Sequence, residues 1–180
     1  METGIPLPEI GDLPPELQDV VRSFPLNVIH MMANAPASTK ALVDFANTIL
    51  FQSRFDPRQR EIAVLRVAHV TGAPYEWAQH ANLAAAVGVS AREMEIIRSE
   101  EPVTSLDEDG NLLCRVADEI SRYVRLSDEG LSLILARYGV REATELILCV
   151  SYFNMVSRFL ESTRVPPEDQ PALDWVKGIS

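Results

Sequence analysis

The feature that most constrains this chain is the segment DPRQREIAVLRVAHVTGAPYEWAQHANLAAAVGVSARE, residues 56–93, where three helix signals follow one another with almost no linker. Asp56 can cap a helix, Pro57 suits its first position, and Gln59 three residues after Asp56 can complete a capping box. Gly72 is a stop signal. A second helix is expected from Pro74 to Val87, ending at Gly88, and Ser90 with Glu93 forms another capping box. Local propensity in REIAVLRVAHVTG would also allow a strand, since most of its residues are apolar and several are β-branched. The length of the run and its cap favour a buried helix. Linkers this short imply neighbours packed antiparallel.

The same periodicity extends in both directions. Leu17, Val20, Val21 and Phe24 recur at helical spacing, as do Leu42, Phe45, Ala46 and Ile49. SEEPVTSLDEDG reads as a long acidic surface loop before a helix with Leu112, Leu113, Val116, Ile120 and Tyr123 on its inner face. Leu131, Ile134, Leu135 and Tyr138 mark a further helix that Gly139 would end. REATELILCVSYFNMVSRFLEST is apolar around much of its circumference, as expected of a central helix or an oligomer interface. No strand pair with a hairpin turn and no strong repeat is visible. The expected fold is all-α, a helical bundle in a single domain over residues 1–180, its core at roughly residues 13–165. The Pro-rich end could pack through Leu173 and Trp175, onto a neighbouring subunit.

Composition narrows the function. With 47% hydrophobic and 23% charged residues, the chain resembles an ordinary folded protein. Its formal charge of -10, with no basic run, argues against general affinity for nucleic acid. An anionic substrate stays open, because one local arginine matters more to a pocket than net charge does. Cys114 and Cys149 each fall inside an apolar helical pattern, so buried free thiols are expected rather than a disulfide framework or a thiolate metal site. The N-terminal residues show no signal-peptide pattern and no apolar run has transmembrane length. A cytoplasmic protein with no membrane partner is the expectation.

Glu76 and His80, four residues apart, would sit one turn apart on one helix face. A carboxylate beside an imidazole favours the protonated ring, while burial opposes charge on either group, and this balance can tune a histidine for acid/base work. The same spacing also describes a solvated surface pair. Glu61, one helix earlier, is a candidate third group, and also a first-turn glutamate favoured by the helix dipole. His69 follows Glu61 nearly in phase and could reach the same cavity, or be a polar group satisfied inside the bundle. Tyr75 and Trp77 would be pocket walls, core or interface. Arg54, Arg58, Arg66 and Arg158 are candidates for binding a substrate carboxylate, and each could equally be a solubilising surface arginine.

RQREIAVLRVAHVTGAPYEWAQHANLAAAVGVSAREMEII, followed by SYFNMVSRFLESTRVPPED, resembles the carboxymuconolactone decarboxylase and alkylhydroperoxidase-like superfamily over most of the chain. Hydroperoxide-reducing members carry a redox CxxC, an upstream glutamate and a histidine four residues after the second cysteine. In this alignment Glu61 and His80 match the glutamate and histidine, while Ala73 and Glu76 occupy the cysteine positions. A thiol peroxidase needs an attacking thiolate and a resolving thiol, which neither residue supplies. The decarboxylase branch is similar in placing a glutamate four residues before the histidine. The resemblance implies a cofactor-free acid/base enzyme acting on a small carboxylated or lactone metabolite, with His80 as acid/base, Glu76 its partner and Glu61 in support. It also implies a homotrimer or trimer-based hexamer. An isomerase, a cyclase or a non-catalytic binding protein on the same frame remains open. No metal is expected, since no second histidine stands at ligand spacing from His80, and no nucleotide, flavin or haem motif is present.

Overall fold

Helix signals and helices coincide closely in the computed structural model, which describes residues 4–168. Leu173 and Trp175 lie outside the described residues. Eight α-helices and no strand occur among the described residues: α1 (Pro15–Ser23), α2 (Asn27–Met32), α3 (Pro36–Asn47), α4 (Pro57–Thr71), α5 (Pro74–Ala86), α6 (Ala91–Ser99), α7 (Glu108–Tyr123) and α8 (Asp128–Thr163). Two compact units can be distinguished, one of residues 4–52 with 160–168 and the other Ser53–Phe159.

In the first unit, Leu13, Leu17, Val21 and Ala33 form a small core against which Ile10 packs. The buried Thr39 hydroxyl donates to the Met32 carbonyl at 2.7 Å, tying α3 to the end of α2. A single π-helical turn, Thr48–Gln52, follows α3.

The second unit is organised around α4, which packs against α5, α6 and α7. Every residue from Arg60 to Ala68 is buried. That explains why this run lacks an amphipathic pattern: a helix covered on all sides has no polar face to keep. Its start is half of the expected capping box. Asp56 accepts from the Gln59 backbone N–H at 2.9 Å, but the Gln59 side chain reaches across to Asp109 on α7 at 3.0 Å. Its end is Gly72, at φ 66°, in the left-handed region where an added side chain would be strained. The Ser90–Glu93 capping box forms in full.

Two expectations about the later helices change. Asp107 caps α7 by accepting from Gly110 N–H, so the end of the acidic stretch is helical rather than loop. Tyr123 is 69% exposed because the inner face of α7 is carried by Leu113, Cys114, Val116 and Ala117. Gly139 ends a helix as expected: its backbone is non-helical at φ 73°, ψ 176°, so α8 is two helices joined at that residue. Before Gly139, Ile134 is fully buried, whereas Leu131 and Leu135 are each 40% exposed. Beyond it Leu146, Cys149, Val150, Phe153 and Ser157 face inward, and Val140, Leu148 and Met155 face outward.

Candidate active site

The α4–Gly72–α5 hairpin brings Glu61 and His80 together. His80 Nδ1 lies 2.7 Å from Glu61 Oε2, and both groups are buried, Glu61 completely. The carboxylate bonded to the histidine ring is therefore Glu61 of the preceding helix rather than Glu76 of the same helix. Glu76, 2% exposed, instead accepts at Oε2 from the Ser157 hydroxyl on α8 at 2.6 Å. Residues four apart on a helix project in parallel, and here each side chain meets a different neighbouring helix.

Two further residues complete the cluster. The Arg60 Nε–H donates to Glu61 Oε1 at 2.9 Å with the guanidinium 3% exposed, so Glu61 is held by a cation on one oxygen and an imidazole on the other. Phe153 of α8 meets the His80 ring edge to face, with centroids 4.7 Å apart and planes at 80°. Tyr152 stacks edge-on against Phe153 at 5.2 Å, and burial beside Glu76 pushes its phenol up to about 12. None of Arg60, Ser157, Phe153 or Tyr152 is apparent from spacing. Arg60 is adjacent to Glu61 in sequence, a separation that ordinarily points two helical side chains apart. Ser157 is 81 residues from Glu76. Its only sequence signal is a small polar residue on an otherwise apolar face.

The other candidates lie elsewhere. His69 is half-buried, and the charges that act on it belong to Arg66, Glu101, Asp118 and Arg98. Burial, then Arg66, lowers its pKa. Eight residues make an imperfect helical repeat, so His69 turns away from Glu61. Arg66 is fully buried but belongs to the scaffold: it forks onto both Asp118 oxygens at 2.6 and 2.9 Å and donates to the Ile97 and Glu100 carbonyls. Arg58 pairs with Glu93, and Arg158 donates to the Asn154 carbonyl and side chain. Arg54 is exposed, its backbone N–H held by Glu145. Tyr75 is buried, whereas Trp77 is half-buried beneath the Arg98 guanidinium, 5.5 Å from the ring centre. A surface groove of about 460 Å³ between the 102–104 loop and α7, with Leu133 at its edge, shares no residue with the Glu61–His80 cluster.

Neither thiol is placed for redox work. Cys114 and Cys149 are both buried; burial pushes the Cys114 thiol up to about 12. Cys149 is raised by burial and by the Glu61 and Glu76 charges, with Arg60 opposing. Both thiols are expected to stay unmodified by a colorimetric disulfide reagent in the folded protein and to react fully once it is unfolded in guanidinium. Rapid reaction of either thiol in the native state would show that it is not buried. Among the described residues no group of three or more His, Cys, Asp and Glu side chains could hold a metal ion, and no helix is long and apolar enough to cross a membrane.

Residues 36–105 match the model of the carboxymuconolactone decarboxylase family. In three dimensions the chain is similar to the crystal structure of an alkylhydroperoxidase AhpD core, an uncharacterized peroxidase-related protein from Ralstonia eutropha JMP134, with a TM-score of 0.78, 14% identity and 93% of each chain covered. It is equally similar to an uncharacterized peroxidase-related protein from Silicibacter sp. TM1040, with a TM-score of 0.78, 16% identity and 95% of each chain covered. At such identities the likeness is one of fold. No curated protein matches the sequence. The family match and the fold agree with the superfamily that the sequence resembles.

Proposed function

We propose that this chain, carrying the carboxymuconolactone decarboxylase family pattern on an alkylhydroperoxidase-like helical fold, is a cofactor-free acid/base enzyme that decarboxylates a small lactone or related carboxylate. One observation carries the reading: Glu61 and His80 lie buried 2.7 Å apart, while Ala73 and Glu76 stand where the resemblance places the redox cysteines of hydroperoxide-reducing members. A frame that has lost its thiols and kept its acid/base groups suits proton chemistry.

Loss of carbon dioxide breaks the carbon–carboxylate bond and leaves its electron pair in the conjugated lactone as a dienolate. A proton from the protonated His80 ring then closes the cycle at carbon, and the neutral ring recovers its proton from water. Glu61 orients the ring, Glu76 supplies a second titratable group one turn away, and Ser157 holds Glu76 in place. Tyr152 and Phe153 line the aromatic side of the cluster. The test is ultraviolet-monitored turnover of 4-carboxymuconolactone with carbon dioxide release measured in parallel. Turnover supports the assignment, and no turnover by the native protein removes this substrate.

The near-complete burial of Glu61, Glu76 and His80 favours a second reading, a non-catalytic oligomeric protein in which the cluster is structural. In that case His80 variants lose stability and there is no reaction to lose. Self-association is part of both readings: Leu131, Leu133, Leu135, Val140, Leu148 and Met155, all on α8, are 39–75% exposed. Exposed large apolar side chains gathered on one segment are a surface that a partner subunit would cover. Light scattering after size exclusion is expected to report a trimer or hexamer, and Val140→Glu with Leu148→Glu is expected to lower the mass. A monomeric native protein would remove this part of the proposal.

A further inference from the structure

The Arg60–Glu61–His80 chain is ordered from a permanent cation, through a carboxylate, to an imidazole, and every link is buried. A guanidinium has only donors to offer and stays charged. It forms an ion pair with Glu61 at Oε1, and a carboxylate can only accept. The atom of His80 facing Glu61 Oε2 is Nδ1, at 2.7 Å, so the hydrogen must belong to Nδ1. In a neutral ring Nε2 then bears the lone pair. Phe153, edge-to-face against the ring at 4.7 Å, opposes the rotation that would exchange Nδ1 for a carbon.

We propose that Arg60 is a positioning residue that acts through Glu61 to fix neutral His80 as the Nδ1–H tautomer, making Nε2 the atom that exchanges a proton with substrate. The assignment to substrate rests on the acid/base reading above; the tautomer does not. Arg60 acts on the ring through the Glu61 carboxylate that stands between them.

The test is a long-range proton–nitrogen correlation spectrum of histidine-labelled protein, recorded where the rings are neutral, with the His80 signals identified by their loss in His80→Gln. The expected native spectrum has a protonated Nδ1 and a pyridine-like Nε2. Arg60→Gln is expected to shift the tautomer ratio toward Nε2–H by about tenfold, the effect of weakening one charge-assisted hydrogen bond. Arg60→Lys, which keeps the charge, is expected to restore it. Should Arg60→Gln not fold, Arg60→Met serves as the neutral variant with matched apolar bulk. A native spectrum dominated by Nε2–H overturns the proposal, as does an unchanged ratio in a folded neutral variant. Because no substrate is needed, a wrong lactone assignment and a wrong tautomer give separate results.

Discussion

His80→Gln is expected to reduce turnover by about 10²–10⁴-fold, the range associated with losing a positioned general acid or base. The glutamine amide can donate to Glu61 in place of Nδ1, so the buried carboxylate keeps a partner while the titrating ring is gone. Thermal or urea unfolding should therefore move little. His80→Ala adds a structural cost to the same catalytic loss, about 1.5–3 kcal/mol for removing a hydrogen bond to a buried charged group. The pair of variants separates the two readings of the cluster. Activity that survives in a folded His80→Gln protein would remove His80 from the chemistry, and a stability loss without any native turnover would favour the structural role.

The second large effect concerns stability alone. Arg66 is 0% exposed and satisfies four acceptors: both oxygens of Asp118 on α7 and the carbonyls of Ile97 and Glu100 at the end of α6. Arg66→Met is expected to cost about 3 kcal/mol in urea unfolding, because removal of one partner leaves Asp118 and two carbonyls to be satisfied by others. Asp118 is 17% exposed, which lets water relieve part of that penalty and keeps the figure at the low end for a buried pair. Adding Asp118→Leu should recover part of the loss, since an apolar pair replaces an ion pair more cheaply than half an ion pair can stand alone. A single-variant loss below about 1 kcal/mol would show that the α4–α6–α7 junction does not depend on this guanidinium.

The second prediction rests on an arginine that sequence reasoning does not single out. Arg54, Arg58, Arg66 and Arg158 are equivalent candidates for a substrate cation in the sequence, yet Arg66 joins three helices and Arg58 supports the α6 capping glutamate. Arg60, adjacent to a residue already singled out, is the one bonded to Glu61. The distinction depends on the rotation of α4 relative to α5, α6 and α7, which is decided by packing over the whole helix.

Local physical chemistry wrote much of this protein directly into its sequence. The run from Arg60 to Ala68 reads as a buried helix from its length and its Asp56 cap, although it carries Arg60, Glu61 and Arg66, and Gly72, Ser90 and Glu93 mark ends through backbone and capping preferences that act over a few residues. That Glu61 comes to the same site as His80 is also legible, since a short turn between two helices leaves few ways to arrange them, although the sequence pairs the ring first with Glu76. Tertiary structure alone decided that Glu76 bonds to Ser157, that Phe153 closes against the imidazole, and that Gln59 abandons its capping box for Asp109. Each of those contacts joins helices far apart in the chain, and helical periodicity specifies which face a side chain occupies without specifying what meets it.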